Sequence, residues 1–310
     1  MADIAKDDEK KGGGNRNAIA YGLLQRAGVN TYGLSPGEAW QLVSQLNLME
    51  SKRWKRTKED KADIKQKNES LKSQGLDKYT VSQKAHKYSS YVNFSGTSNT
   101  SAVNEAVDAL GDVYQKYKIG KLQSFKSAHL STGTMARANG ELLDVGDRIL
   151  RNPNAAYRIC SEEFKQHTQK QISETNRLLA KANDEKQKAK YQEALNKALR
   201  TAKFDRHNVI YKGEEVRSVV MHETGHVIAG QIFGFCEGRT GQHTNGANKK
   251  IWDCFQESKS NGDIYKISAY ADTSADEFFA ECFAMKHMGK EKLPEKIDKM
   301  MEEVLKPWRK

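Results

Sequence analysis

The chain lacks the features that would mark a stapled, exported or membrane-spanning protein. Its cysteines, Cys160, Cys236, Cys254 and Cys282, stand far apart with no C-x-x-C spacing. That pattern argues against a disulfide framework and reads as free thiols in a reducing compartment. The first residues, Met1-Ala2-Asp3-Ile4-Ala5-Lys6-Asp7-Asp8, have no apolar core, so they do not read as a secretory signal. No stretch approaches ~18 uninterrupted apolar residues, and no membrane span is expected. Apolar residues are themselves scarce, 37% against 29% charged. This is polar for a compact globule, so extended or solvent-facing helices are expected beside one real core. At 310 residues the chain has room for one large domain or two modest ones.

What is present in excess is positive charge, a net +11. It gathers visibly at Lys52, Arg53, Lys55, Arg56, Lys58 and Lys61. A cluster of this kind binds nucleic acid or another polyanion, or is simply a solvated helix face. Glu59, Asp60 and Asp63 are interleaved with it, which favours the solvated face, and the lone Trp54 is no stacking platform.

Residues 1–16, charged and carrying Gly12-Gly13-Gly14, read as a disordered tail. A short helix is expected over 18–26. Ser35-Pro36-Gly37-Glu38 has the residues of a helix start, with Ser as cap, Pro at the first position and Glu at the third. From there one long helix is expected to run through Trp40, Leu42, Leu46 and Met49 to near Lys67. Residues 72–100, rich in Ser, Lys, Tyr and Asn, read as a linker or extended arm. Val103, Val107, Leu110, Val113, Tyr114 and Tyr117 recur at helical spacing up to Gly120. Asn139-Gly140 predicts a two-residue hairpin turn between residues 134–138 and 141–145. Residues 161–203 predict a helical hairpin bent at Asn183-Asp184, with a thin stripe of Ile172, Leu178, Leu179, Tyr191, Leu195 and Leu199. The Gly- and Asn-rich residues 236–261 are expected to be loops. His243 lies in them and, as a lone loop histidine, is left out of the site. Residues 293–309 predict a last amphipathic helix.

The most informative stretch is His222-Glu223-Thr224-Gly225-His226, an H-E-x-x-H motif. Composition alone predicts about 0.03 such matches in this chain, so chance is a poor explanation. On a helix, residues i and i+4 lie one above the other, which lets His222 and His226 bind one metal ion, zinc above all. Glu223 lies about 100° further round, within reach of a water but not a ligand. The flanking Val216, Val219, Val220, Val227, Ile228, Ile232 and Phe233 make the helix largely apolar. Buried imidazoles need partners, and a metal supplies one.

A catalytic zinc takes three protein ligands and keeps one position open. The best source of the third is residues 270–284. Ser274 is a good cap there, with Asp276 and Glu277 in the first turn. Glu277 and Glu281 fall on one helix face, where two carboxylates would repel unless a cation and an imidazole lie beside them. Glu277 could then ligate the metal, while Glu281 accepts a ligating histidine's second N–H. A solvated acidic stripe is the bland alternative.

The pairing of His222 and His226 with Tyr270, Glu277, the Phe278-Phe279-Ala280-Glu281 run and Phe283 resembles the lethal-factor-like zinc metallopeptidases. Similar domains occur in phage minor head proteins and polymorphic bacterial toxins. The resemblance covers about the C-terminal third and does not reach residues 1–95. It implies Glu277 as third zinc ligand, Glu281 as a supporting residue, and Tyr270, seven residues before Glu277, as an aid to the transition state. Together with the pattern along the chain, the expected fold is α+β and predominantly helical: a zincin-like domain over residues 100–310, with 161–203 inserted, behind a basic helical region and linker over 17–99. In zincins an edge strand beside the active-site helix holds the substrate backbone. One arm of the 134–145 hairpin is suited to that task, or is an ordinary structural hairpin.

The expected function is therefore a single-zinc endopeptidase acting on polypeptides. His222, His226 and Glu277 hold the metal, Glu223 is the base and Tyr270 stabilises the oxyanion. The alternative is a virion component packaged with DNA, contacting capsid or portal proteins, with the peptidase as passenger. A secreted effector using a leaderless route is a third reading. The expected location is the host cytoplasm or the virion.

Overall fold

The computed structural model describes Ser35, residues 54–130, 133–234 and 246–310. The expected tail at 1–16, the helix at 18–26, the body of the helix begun at Ser35, Lys52, Arg53 and His243 all lie outside the described residues. The chain divides into two units, Met1–Lys55 and Arg56–Lys310. The second unit carries the site and is predominantly helical around one four-stranded sheet.

Its first helix, α1 (Lys58–Ser73), does not continue from upstream. Residues 55–57 are non-helical, and Thr57 caps a fresh start, its hydroxyl accepting from Asp60 N while the Asp60 carboxylate accepts from Thr57 N. The expected unbroken helix to Lys67 is corrected to this extent. Lys55, Arg56, Lys58 and Lys61 are exposed. Asp60, read as part of a solvated face, is instead 3% exposed. It accepts hydrogen bonds from Asn152, Asn154 and Arg158, tying α1 to the body of the unit.

The linker expected at 72–100 is likewise corrected. Asp77 caps a second helix, α2 (Lys78–Ala85), and Ser89–Asn93 is β1 of the sheet. Val81, Ala85 and Phe94 are buried, Phe94 edge-on to Phe125 at 5.0 Å. The polar composition misled because most side chains here face water, and a few apolar residues pay for the ordering of the rest. The compact unit thus starts at Arg56 rather than at residue 100.

Helix α3 (Thr100–Lys116) follows, as its apolar spacing predicts, with Asn99 as cap. Strands β2 (Leu122–Ala128), β3 (Ala136–Ala138) and β4 (Leu142–Gly146) complete the sheet in the order β1-β2-β4-β3. β1, β2 and β4 are parallel, and β3 pairs antiparallel with β4 at one edge of the sheet, β1 forming the other. The predicted hairpin is therefore present. Its turn is centred one residue later than expected, on Gly140-Glu141, because Asn139 N bonds Leu142 O and the Asn139 side chain accepts from Glu141 N and Leu142 N. Phe125, Leu143 and Val145 are fully buried, while Tyr91 and Leu142 on the opposite face are exposed.

Short helices α4 (Asp147–Arg151) and α5 (Pro153–Tyr157) lead into the helical hairpin of α6 (Glu163–Ala180) and α7 (Glu185–Thr201), bent at Asp184, which caps α7. Ile172, Leu195 and Ala198 bury its seam. Helix α8 (Glu215–Ile228) is buried nearly all round, with Val216, Val220, Val227 and Ile228 fully buried. Valine is a poor helix former, so this helix stands on burial rather than propensity. Helix α9 (Gly246–Asn261) replaces most of the loop expected at 236–261. Helices α10 (Ala275–Met288) and α11 (Glu295–Leu305) close the unit, α11 within the amphipathic stretch expected at 293–309. No described helix is long and apolar enough to cross a membrane.

Candidate metal centre

Two helices build the centre, and a glycine lets them meet. A Cβ on Gly225, inside the H-E-x-x-H motif, would lie 2.8 Å from Ala280 Cα on α10. Only a residue without one allows this approach of α8 to α10. Ser274 caps α10, its hydroxyl accepting from Glu277 N at 3.2 Å. The first turn then carries Asp276 and Glu277 against the histidine face of α8.

Three side-chain atoms converge there. His222 Nε2 and His226 Nε2 are 3.1 Å apart, and Glu277 Oε2 stands 3.0 Å from the first and 3.2 Å from the second. His222, His226 and Glu277 form the one group among the described residues able to hold a metal ion. Ligand atoms on a tetrahedral ion at ~2.0–2.1 Å stand about 3.3–3.4 Å from one another, so the triangle is a slightly contracted face of that tetrahedron. Two imidazole nitrogens this close also need a proton or a cation between them.

The outer nitrogens are oriented too. His222 Nδ1 lies 2.8 Å from Glu281 Oε1, and His226 Nδ1 lies 3.2 Å from Asp276 Oδ1. Each histidine thus sits between the centre and a carboxylate at ion-pair distance, though His222 Nδ1 and Asp276 Oδ1 fall outside hydrogen-bond geometry; closing these contacts is what fixes the tautomer of a metal-ligating imidazole. Glu281, 1% exposed, also accepts from Val209 N at 2.6 Å and from the Asn208 amide at 3.3 Å. It is a buried strut behind His222 and not part of the triangle.

Charge in the centre follows from this geometry. Burial opposes the imidazolium of His222, but the contacts with Glu277 and Glu281 overcome it, and the pKa rises well above the usual histidine range. Burial is likewise outweighed at His226 by Asp276 and Glu277, which push it up to about 9. Glu277 is held far below the usual carboxylate range because the bonds to His222 and His226 outweigh its burial. The surrounding carboxylates thus favour positive charge at the centre. A dication supplies such charge at one point.

Glu223 is 7% exposed and has no ion-pair partner at close range among the described residues. Burial raises its pKa, with His222 and His226 pulling the other way. Tyr270, half-buried, leans on the His222 ring at 5.8 Å. Burial and then the adjacent Glu277 carboxylate raise its phenol pKa. All six residues singled out by sequence, His222, Glu223, His226, Tyr270, Glu277 and Glu281, therefore meet in one place. Asp276 was legible only as a first-turn acid. His207 and Asn208 were not legible, since no motif marks them and they stand more than a dozen residues from His222. No protein-family model, curated protein or solved structure matches this chain.

Proposed function

We propose that this chain is a zinc-dependent endopeptidase of zincin type. The observation that carries the reading is the triangle of His222, His226 and Glu277 with a buried, uncommitted Glu223 on the next position of the same helix. Two imidazoles and one carboxylate suit zinc in a catalytic rather than structural site. Zinc bound there would supply Lewis acidity and a water of lowered pKa.

The chain's own groups do the remaining work. The raised pKa of Glu223 suits a group that takes a proton from the attacking water and returns it to the leaving amine. The Tyr270 hydroxyl, kept protonated by its surroundings, donates to the oxygen that gains charge on the scissile carbonyl. Asp276 and Glu281 hold the two imidazole rings in register.

Strand β3 gives the reading a place for substrate. Asn139 N bonds Leu142 O and Gly146 N bonds Met135 O, so residues 135, 137 and 139 face β4. The backbone groups of Ala136 and Ala138 then point away from the sheet, free to pair with an extended peptide. The hairpin also adjoins the π-helical turn Ala229–Phe233 that follows the motif helix: a Cβ on Gly230 would lie 2.9 Å from Gly140 N. The phage-head or toxin setting is carried by the same residues as the resemblance and gains no separate support.

The test is digestion of a random peptide library by the zinc-loaded chain, read by mass spectrometry. Cleavage products are expected from the parent and none from Glu223→Gln at equal zinc content. Equal product patterns from the two would remove Glu223 from the chemistry and the reading with it.

A further inference from the structure

His207 lies outside the centre and outside every motif, yet it touches Tyr270 twice. Its carbonyl accepts from Tyr270 N at 2.8 Å. Its imidazole stacks on the Tyr270 ring, centroids 5.7 Å apart and planes 23° from parallel. Tyr270 leans on His222 in turn. The three rings form a column running from a ligand of the centre to an exposed side chain.

The outer ring of the column is itself oriented. Glu281 is a carboxylate and can only accept, so the Asn208 amide must turn its NH2 toward it. The Asn208 carbonyl oxygen then faces His207 Nδ1 at 2.5 Å and receives its proton. The Cys160 thiol donates to the same oxygen at 3.5 Å. Phe164 meets the His207 ring edge-on at 5.8 Å, and His207 N bonds Cys160 O at 2.7 Å. An exposed loop histidine with no task would not need its backbone, ring face, ring edge and Nδ1 all engaged.

We propose that His207 is a positioning residue for Tyr270: its imidazole, fixed through Asn208 to Glu281, holds the phenol against His222 with the hydroxyl at the metal centre. Glu281 thereby orients two groups at once, the ligand His222 directly and Tyr270 through Asn208 and His207. In kinetic terms the inference rests on the peptidase reading, with Tyr270 as oxyanion donor. Its structural content, the orientation of the Tyr270 ring, does not.

The experiment therefore has two arms on the full chain. The first is 19F NMR of fluorotyrosine-labelled protein, with the Tyr270 signal assigned by its loss in Tyr270→Phe. His207→Ala is expected to shift that signal toward the free-tyrosine position, and His207→Phe, which keeps a flat ring, to restore it. An unmoved signal in His207→Ala overturns the inference whatever the activity. The second arm is steady-state kinetics on a cleaved peptide at equal zinc. His207→Ala is expected to lower kcat about 10–100-fold with KM unchanged, since a misplaced group costs on that scale. His207→Phe should recover most of the loss, and His207→Ala should add nothing in a Tyr270→Phe background. Additive losses, or no recovery in His207→Phe, overturn it. A parent that cleaves no peptide overturns the peptidase reading instead and leaves the NMR arm to decide the position of Tyr270.

Discussion

Glu223, Glu277 and Glu281 are three glutamates in one site, and their surroundings give them different work. Glu277 lies in the ligand triangle, Glu281 is locked behind His222, and Glu223 is buried without a close partner. Glu223→Gln is expected to keep the metal and abolish turnover. Glu277→Ala is expected to lose metal affinity, which a zinc titration measures. Should Glu281→Ala lose the metal while Glu277→Ala keeps it, the ligand assignment is wrong by one helical turn. Tyr270→Phe is expected to lower kcat by ~10²–10³ with zinc content and fold unchanged, the usual cost of one lost oxyanion donor. These roles were legible in the sequence because helical spacing converts i and i+4 into shared faces. The parts supplied by other segments, such as Asn208 reaching Glu281 or His207 covering Tyr270, have no fixed spacing and needed the fold.

At the scale of elements, the contact between α8 and α10 sets the ligand geometry, and Gly225 sets the contact. Gly225→Ala is expected to cost about 1–3 kcal/mol in stability, as overpacking does, and to weaken zinc binding by parting the helices. Thermal unfolding and a zinc titration read the two effects. A variant with parental stability and affinity would show that the helices can separate freely. The other face of α8 meets α3 through Glu105, whose carboxylate accepts from Arg217 N at 2.9 Å. Burial pushes Glu105 up to about 7, with the Arg217 N–H opposing and Glu215 adding. The fold thus favours the protonated acid. Its contribution is whole below the ordinary carboxylate pKa and is lost as pH rises through about 7. Glu105→Gln imitates the protonated form. It is expected to gain stability over the parent at pH 8, by at most about 3 kcal/mol, and little at pH 4.5. Equal denaturation midpoints at both pH values would place the Glu105 titration outside this range. Elements with strong periodicity, α3, the α6–α7 hairpin and α11, were legible from sequence. α2, β1 and α9 were not: α2 and β1 are short, α9 is longer but buries only Ile251, Phe255 and Ser258, and polar elements held by tertiary contacts leave only a few buried positions as a trace.

At the scale of the whole molecule, the unit from Arg56 to Lys310 contains the sheet, the core and the complete centre. A chain of residues 56–310 is expected to fold cooperatively and bind zinc. A chain of residues 100–310, cut where composition suggested, removes β1 and the partner of Phe125 and is expected to aggregate or unfold. Comparable unfolding curves for the two would show that α1, α2 and β1 are dispensable. Metal binding should also stabilise the whole unit. Free zinc at about 100 times its dissociation constant adds about 2.7 kcal/mol if it binds the folded state alone. The measurement that bears most directly on the account is zinc per chain by elemental mass spectrometry, on the parent and on His226→Ala/Glu277→Ala. The account predicts about one zinc in the parent and none in the variant, both dialysed against the same buffer. Equal zinc in the two proteins would contradict it, because the triangle of His222, His226 and Glu277 would then not be where the metal is held.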